Sequence, residues 1–235
     1  MDGRRKRPII VVDGPAGTGK STVCSLFAER AGYCCLDTGA LYRTVAWLAR
    51  EREVSLDDED RLSLLCGDIL VVVDEAAGRM RIFADGEEMD RRIRTDETGM
   101  AASRVSRLPG VRRALLPLQR EAGAAGGIIA EGRDMGTVVF PDADIKIFLD
   151  ADPSERAKRR YLELTERGED AQYDDVLKDM SFRDEQDMTR SIAPLKPSGD
   201  AIVLDTTRMT REEVVQSVME IVRSKTAVSH GSSAL

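Results

Sequence analysis

Ile9-Ile10-Val11-Val12-Asp13-Gly14-Pro15-Ala16-Gly17-Thr18-Gly19-Lys20-Ser21 decides the fold. An apolar run ends on an acid and passes straight into a segment that fits G-x-x-x-x-G-K-[ST], and a helical pattern opens at its end. Each residue type has a physical reason. Glycines let the backbone curl so that its N–H groups face phosphate oxygens, and the helix N-terminus adds positive potential. Lys20 reaches β- and γ-phosphates, and the Ser21 hydroxyl is a ligand for Mg²⁺. The stretch predicts a nucleotide-binding loop made of Gly14, Pro15, Ala16, Gly17, Thr18, Gly19, Lys20, Ser21 and Thr22.

Working outward, further apolar runs of strand length lie at Tyr33 to Leu36, Gly127 to Glu131, Ile145 to Asp150 and Ala201 to Asp205. Helical periodicity fills Lys20 to Ala31, Ala40 to Arg52, Val111 to Ala122, Ser154 to Arg167, Tyr173 to Arg190 and Arg211 to Val222. Continuous apolar runs alternating with helices predict an α/β fold whose five-stranded parallel sheet is flanked by helices. Ligands in such sheets gather at the carboxyl ends of the strands.

Two regions break the rhythm. Ile69 to Asp74, Arg79 to Ala84 and Glu87 to Met89 are separated by Ala77-Gly78 and Asp85-Gly86, so residues 65–95 read as an inserted antiparallel unit between core segments 9–64 and 96–223. The charge-dense stretch from Arg156 to Arg190 is either a solvated helical pair or a mobile lid, and composition alone favours the pair. Residues 1–8 read as a flexible basic arm, and residues 224–235 as a flexible tail.

Composition narrows the chemistry. The chain has 235 residues, 42% of them apolar, with 35 Lys+Arg against 42 Asp+Glu and a net charge of −7. That excludes collagen, extended disorder and disulfide scaffolds, and argues against nucleic acid as a partner. No run approaches the roughly 18 apolar residues a membrane helix needs, and Asp13 arrives too early for a signal peptide, so a cytoplasmic location is expected. The only histidine is His230, in the tail, which sets aside serine–histidine catalysis and histidine metal sites. Cys24, Cys34, Cys35 and Cys66 show no C-x-x-C spacing and read as core thiols. There is no asparagine, so the guanine-reading motif of GTPase switches is absent in its usual form.

The remaining question is which reaction the phosphates undergo. Glu131, after Ile128-Ile129-Ala130, suits the metal-holding acid of an ATPase, yet the length leaves little room for a translocating module. A small kinase needs a second anion site, and the arginines supply one. Asp37-Thr38-Gly39-Ala40-Leu41-Tyr42-Arg43 follows the second strand, and Glu131-Gly132-Arg133-Asp134 closes the third. Arg183, Asp187 and Arg190 share one helix face, and Arg156, Arg159 and Arg160 form another group. Guanidinium forks recognise phosphate bidentately, so the groups suggest two phosphate sites, one per substrate.

These residues resemble the bacterial-type cytidylate kinases (CMP/dCMP kinases), within the nucleoside monophosphate kinases. The resemblance rests on Asp13 to Ser21, Leu36 to Arg43, Ile93-Arg94-Thr95, Val111-Arg112 with Gln119-Arg120, Glu131-Gly132-Arg133-Asp134-Met135-Gly136-Thr137-Val138-Val139-Phe140-Pro141-Asp142-Ala143, Lys146 to Ala151, Arg183-Asp184 with Asp187, and Ala193-Pro194-Leu195. It implies a P-loop kinase core, a small antiparallel insert enlarging the monophosphate-binding part, and a helical lid at 154–191. It also implies transfer of the γ-phosphoryl of MgATP to CMP or dCMP, in pyrimidine nucleotide metabolism, by a monomer. By the same resemblance Arg43, Arg133 and Arg190 hold the CMP phosphate, with the Thr38 hydroxyl near the acceptor. Arg183 and Asp187 hold the sugar hydroxyls, while Ser103, Arg112 and Asp134 hold the cytosine. Lys20 and the lid arginines Arg156, Arg159 and Arg160 would stabilise the transition state, with Mg²⁺ on Ser21. Thr38 stands where the family often has Ser, and Glu131 where Asp is also common; neither removes a functional group. Rival readings are a kinase for UMP, AMP or a shikimate-like acceptor, and a non-enzymatic nucleotide-binding regulator.

Overall fold

Strand β1, Ile9–Asp13, is buried along its whole length, as an uninterrupted apolar run in a sheet covered on both faces must be. The computed structural model describes residues 7–231. From β1 the chain passes through the glycine loop into helix α1 (Lys20–Ala31), β2 (Cys34–Asp37), α2 (Gly39–Glu51) and α3 (Glu59–Leu65). The insert follows as β3 (Ile69–Asp74), β4 (Arg79–Ala84) and β5 (Glu87–Glu88). Then come α4 (Asp96–Val105), α5 (Pro109–Gly123) and β6 (Ile128–Gly132), and a π-helical turn at Met135–Val139. The chain finishes with β7 (Ile145–Asp150), α6 (Pro153–Glu166), α7 (Tyr173–Thr189), β8 (Ile202–Asp205) and α8 (Arg211–Gly231).

Among the described residues the strands form one sheet in the order β3-β4-β2-β6-β1-β7-β8, with β5 on β4. The five strands β2, β6, β1, β7 and β8 are parallel, as expected. The insert is antiparallel within itself, and it continues the main sheet: Cys35 of β2 pairs in parallel with Arg79 of β4. Register aligns the functional edge, with Asp13 opposite Gly132 and Glu131 flanked by Val12 and Asp37.

Each face buries its own apolar side chains. Ile10, Val12 and Ile147 pack against α1 and α8, while Ile9, Val11 and Leu36 pack against Met135, Val139 and Phe140. A third cluster joins α2, α3, α4 and α5 to the insert through Leu48, Leu62, Ile82, Val105 and Leu115. A small fourth one, Ala157, Leu164, Val176 and Met180, binds α6 to α7 and reaches Ala16 of the glycine loop. The charge-dense helices are therefore more than a solvated pair.

Local expectations are corrected in two places. Arg7, assigned to a flexible arm, instead caps α1: its guanidinium donates to Gly32 O (2.5 Å) and Ala31 O (2.8 Å) and lies 4.1 Å over the Tyr33 ring. The rest of that arm, Arg4 to Lys6 included, lies outside the described residues. The tail expected from 224 is helical to Gly231 as a continuation of α8, within which the Ser224 and Thr226 hydroxyls donate to Ile221 O and Val222 O; residues 232–235 lie outside the described residues. The four cysteines are free, three of them buried and Cys35 partly so, and burial raises all four thiols above their ordinary value. No helix among the described residues is long and apolar enough to cross a membrane.

Candidate active site

The glycine loop is shaped by close approaches. Gly14 has φ of 148°, and a Cβ there would lie 2.1 Å from Leu149 O; Gly17 has φ of 75°, and its Cβ would meet Met180 Cε at 2.6 Å. Only glycine fits either place. Lys20 is buried with Nζ donating to Pro15 O at 2.6 Å, and the Thr18 hydroxyl donates to the same carbonyl at 3.1 Å. Burial pushes Lys20 down to about 7, with Arg133 adding to the effect and Glu131 opposing it. Gly19, Ser21 and, in part, Thr22 face solvent at the mouth of the loop.

Around Ser21 the donors are hard oxygens. Its hydroxyl donates to Glu131 Oε2 at 2.8 Å, and burial together with nearby Asp37 pushes Glu131 up to about 7. A buried carboxyl crowded by a second carboxylate, beside a hydroxyl at an open loop, suits Mg²⁺, which prefers oxygen and takes few protein ligands when phosphates supply the rest. Among the described residues no cluster of three His, Cys, Asp or Glu exists to cage a metal without them.

At the ends of β2 and β6 stand the expected acceptor residues. Arg43 Nη2 donates to Asp37 Oδ2 at 2.6 Å, while Arg133 Nε donates to Asp187 Oδ2 at 2.9 Å. Burial pushes Asp187 up, but Arg133, Arg183 and Arg190 outweigh it and hold the carboxyl below its ordinary value. Half-buried Arg183 is pushed down to about 10 by desolvation, with the Arg133 charge adding to the effect. Arg190 lies just beyond α7, with Nε on Ala193 O (2.5 Å), Nη2 3.5 Å from Asp134 Oδ1 and Nη1 3.7 Å from Asp187 Oδ1. Asp134 forms a buried ion pair with Arg112, which also donates to Ser106 O at 3.1 Å. Burial raises Asp134 above its ordinary value against the pull of Arg112. Thr38 is committed elsewhere: fully buried, it donates to Glu131 O at 2.7 Å and ties β2 to β6.

The decisive feature is what these groups lack. Six buried side-chain atoms among the described residues have no hydrogen-bond partner: Arg43 Nε, Ser103 Oγ, Gln119 Nε2, Arg183 Nε, Arg190 Nη2 and Ser198 Oγ. Four of the six belong to residues expected to hold the acceptor. An unmet buried donor costs about 1–3 kcal/mol, which a ligand rich in acceptor oxygens would recover.

The lid arginines are placed differently from their sequence grouping. Arg156 turns inward to Ala151 O (2.9 Å), Ala16 O (3.0 Å) and Asp184. Arg159 donates to Thr206 O at 2.6 Å after β8, and Arg160 pairs with Asp96 and Glu163. Helical spacing places them on one helix, but only Arg156 touches the glycine loop in this conformation.

Sequence reasoning passed over three residues. Asp13 accepts from Met135 N and Gly136 N, both at 2.8 Å, and so fixes the π-helical turn that follows Asp134. Gln119, 2% exposed, and Asp184, 5% exposed, are the others. The signal for Asp13 was an acid ending a fully apolar strand; Gln119 and Asp184 lay inside recognised motifs without a role.

The profile of the family described as cytidylate kinase matches residues 10–224. The chain is 45% identical over 218 residues to the cytidylate kinase of Vibrio cholerae serotype O1, covering 93% of this chain and 97% of that one. It is 47% identical over 216 residues to that of Pseudomonas syringae pv. tomato, covering 91% and 94%. Among solved structures, a gluconokinase from Sinorhizobium meliloti superposes with a TM-score of 0.51 at 15% identity, over 97% of this chain and 99% of that one, a likeness of fold alone. With its phosphate-binding loop, its parallel sheet and a match along nearly its whole length, the chain belongs to the cytidylate kinase family.

Proposed function

We propose that the protein transfers the γ-phosphoryl group of ATP to CMP and dCMP, giving ADP with CDP or dCDP. An oxygen of the acceptor phosphate attacks the γ-phosphorus in line, the bond to the β–γ bridging oxygen breaks, and its electron pair leaves with ADP. No covalent enzyme intermediate is needed, because such transfer is governed by positioning and charge neutralisation.

Arg43, Arg133 and Arg190 hold the acceptor phosphate and offset repulsion between the two anions. Arg183 and Asp187 fix the sugar. Lys20 and the loop amides hold the donor phosphates, and Arg156 adds a guanidinium at the loop. Ser21 and Glu131 would hold Mg²⁺, which when bound neutralises phosphate charge. A single protein in the cytoplasm, with small-molecule partners only, completes the reading; the net charge of −7 argues against polyanionic partners.

The observation that carries the base assignment is the buried Arg112–Asp134 pair, and the buried Ser103 hydroxyl is without a hydrogen-bond partner. Cytosine offers an amino donor next to two acceptors, matching one carboxylate and one cationic donor, whereas uracil reverses the polarity. Replacing Asp134→Ala removes a buried polar partner worth about 1–3 kcal/mol, so KM for CMP should rise by about 5- to 150-fold with KM for ATP nearly unchanged. Steady-state kinetics in both substrates checks this, and equal effects on the two constants would contradict base reading at Asp134.

A further inference from the structure

One amide of the phosphate-binding loop already has an acidic partner. Ala16 N–H donates to Asp184 Oδ1 at 3.4 Å, across 168 residues of sequence. The other oxygen, Oδ2, accepts from Arg156 Nη1 at 2.5 Å, and the same Nη1 donates to Ala16 O at 3.0 Å. Asp184 and Arg156 are each 5% exposed, so the carboxylate–guanidinium pair is shielded from water, and it bonds both ends of the half-buried Ala16 peptide. A loop N–H and a guanidinium are the donors that a phosphoryl oxygen takes, and a carboxylate oxygen carries the matching charge. Met180, one turn before Asp184 on α7, presses its Cε against Gly17.

The same helix serves the other substrate. Arg183 and Asp187, one residue before and three after Asp184, belong to the acceptor cluster around Arg133. Helix α7 thus touches the donor loop with Met180 and Asp184, and the acceptor arginines with Arg183 and Asp187.

We propose that Asp184 is a positioning residue for the transfer: its carboxylate stands in for a phosphoryl oxygen of ATP on Ala16 N–H and Arg156, and yields both when ATP binds. Arg156 is then never buried without an anion, since it exchanges Asp184 for phosphate. The inference rests on the reading of this loop as the ATP site.

Isothermal titration of ATP into the full-length protein without acceptor tests it, with wild type, Asp184→Asn and Asp184→Glu side by side. Removing the competing charge should tighten ATP binding by about five- to tenfold in Asp184→Asn, while Asp184→Glu stays within about twofold of wild type. Thermal unfolding supplies a second readout: Asp184→Asn should melt lower than wild type alone, yet gain more than wild type from saturating ATP. Weaker or unchanged ATP binding by Asp184→Asn overturns the proposal, as does the same gain in Asp184→Glu. A crystal structure of wild type with a non-hydrolysable ATP analogue stands apart from any folding defect. Asp184 should be out of hydrogen-bond reach of Ala16 N with Arg156 turned to phosphate, and an intact Asp184–Arg156 pair overturns the proposal. No ATP binding by wild type would instead overturn the donor-loop reading beneath it.

Discussion

Asp13 is pulled in two directions, and the balance is measurable. Two backbone N–H groups at 2.8 Å favour its charge, but burial outweighs them and pushes the carboxyl from 3.8 to about 6. The folded chain therefore keeps this proton to a higher pH than the unfolded chain does, and the group's contribution to stability falls as pH climbs from about 4 to about 6. Over that interval wild type should lose up to about 3 kcal/mol relative to Asp13→Asn, read from denaturant unfolding at stepped pH. A pH-independent difference between the two proteins would show that Asp13 is ionised throughout. At this scale the sequence was informative where a residue type has one plausible partner. Lys20 and the arginines could be assigned to phosphate from charge and motif, whereas Asp184 looked like any helical acid, because its partners, Ala16 and Arg156, are distant in the chain.

Among the elements, the π-helical turn at Met135–Val139 does the most for the site, since it begins at Asp134. Asp134 O accepts from Val138 N at 2.9 Å and Val139 N at 3.2 Å, and the turn's far end is held by Arg120, donating to Val138 O and Val139 O, each at 3.0 Å. Arg120→Ala removes two charge-assisted bonds and should lower stability by about 1.5–3 kcal/mol. By loosening the seat of Asp134 it should raise KM for CMP more than KM for ATP; a stability loss with unchanged KM for CMP would make Arg120 a purely structural brace. This turn was illegible beforehand because Gly-Thr-Val-Val carries neither helical nor strand periodicity, and the bonds that shape it come from Asp13 and Arg120. Helices α3 and α4 were missed for another reason. Both are short, and their clearest signals were single caps: Asp58 accepting from Arg61 N and Thr95 accepting from Thr98 N. The long helices α1, α2 and α5–α8 and the five parallel strands were readable because periodicity, burial and length agreed.

Over the whole molecule, one sheet brings the two sites together. Register sets the carboxyl ends of β1, β2 and β6 side by side, so the glycine loop, Asp37 to Arg43 and Glu131 to Asp134 meet although they are up to 120 residues apart in sequence. That convergence follows from a parallel sheet and could be anticipated. The joining of the insert to it could not, since a single pairing, Cys35 with Arg79, makes the connection. The central claim is that this edge joins a donor loop to a pocket that reads cytosine. A coupled ADP-release assay with MgATP tests it most directly, offering CMP, dCMP, UMP, AMP, GMP and dTMP beside a blank without acceptor. The account predicts release with CMP and dCMP far above every other acceptor and above the blank; ADP formed without an acceptor, or a preference for another monophosphate, would contradict it.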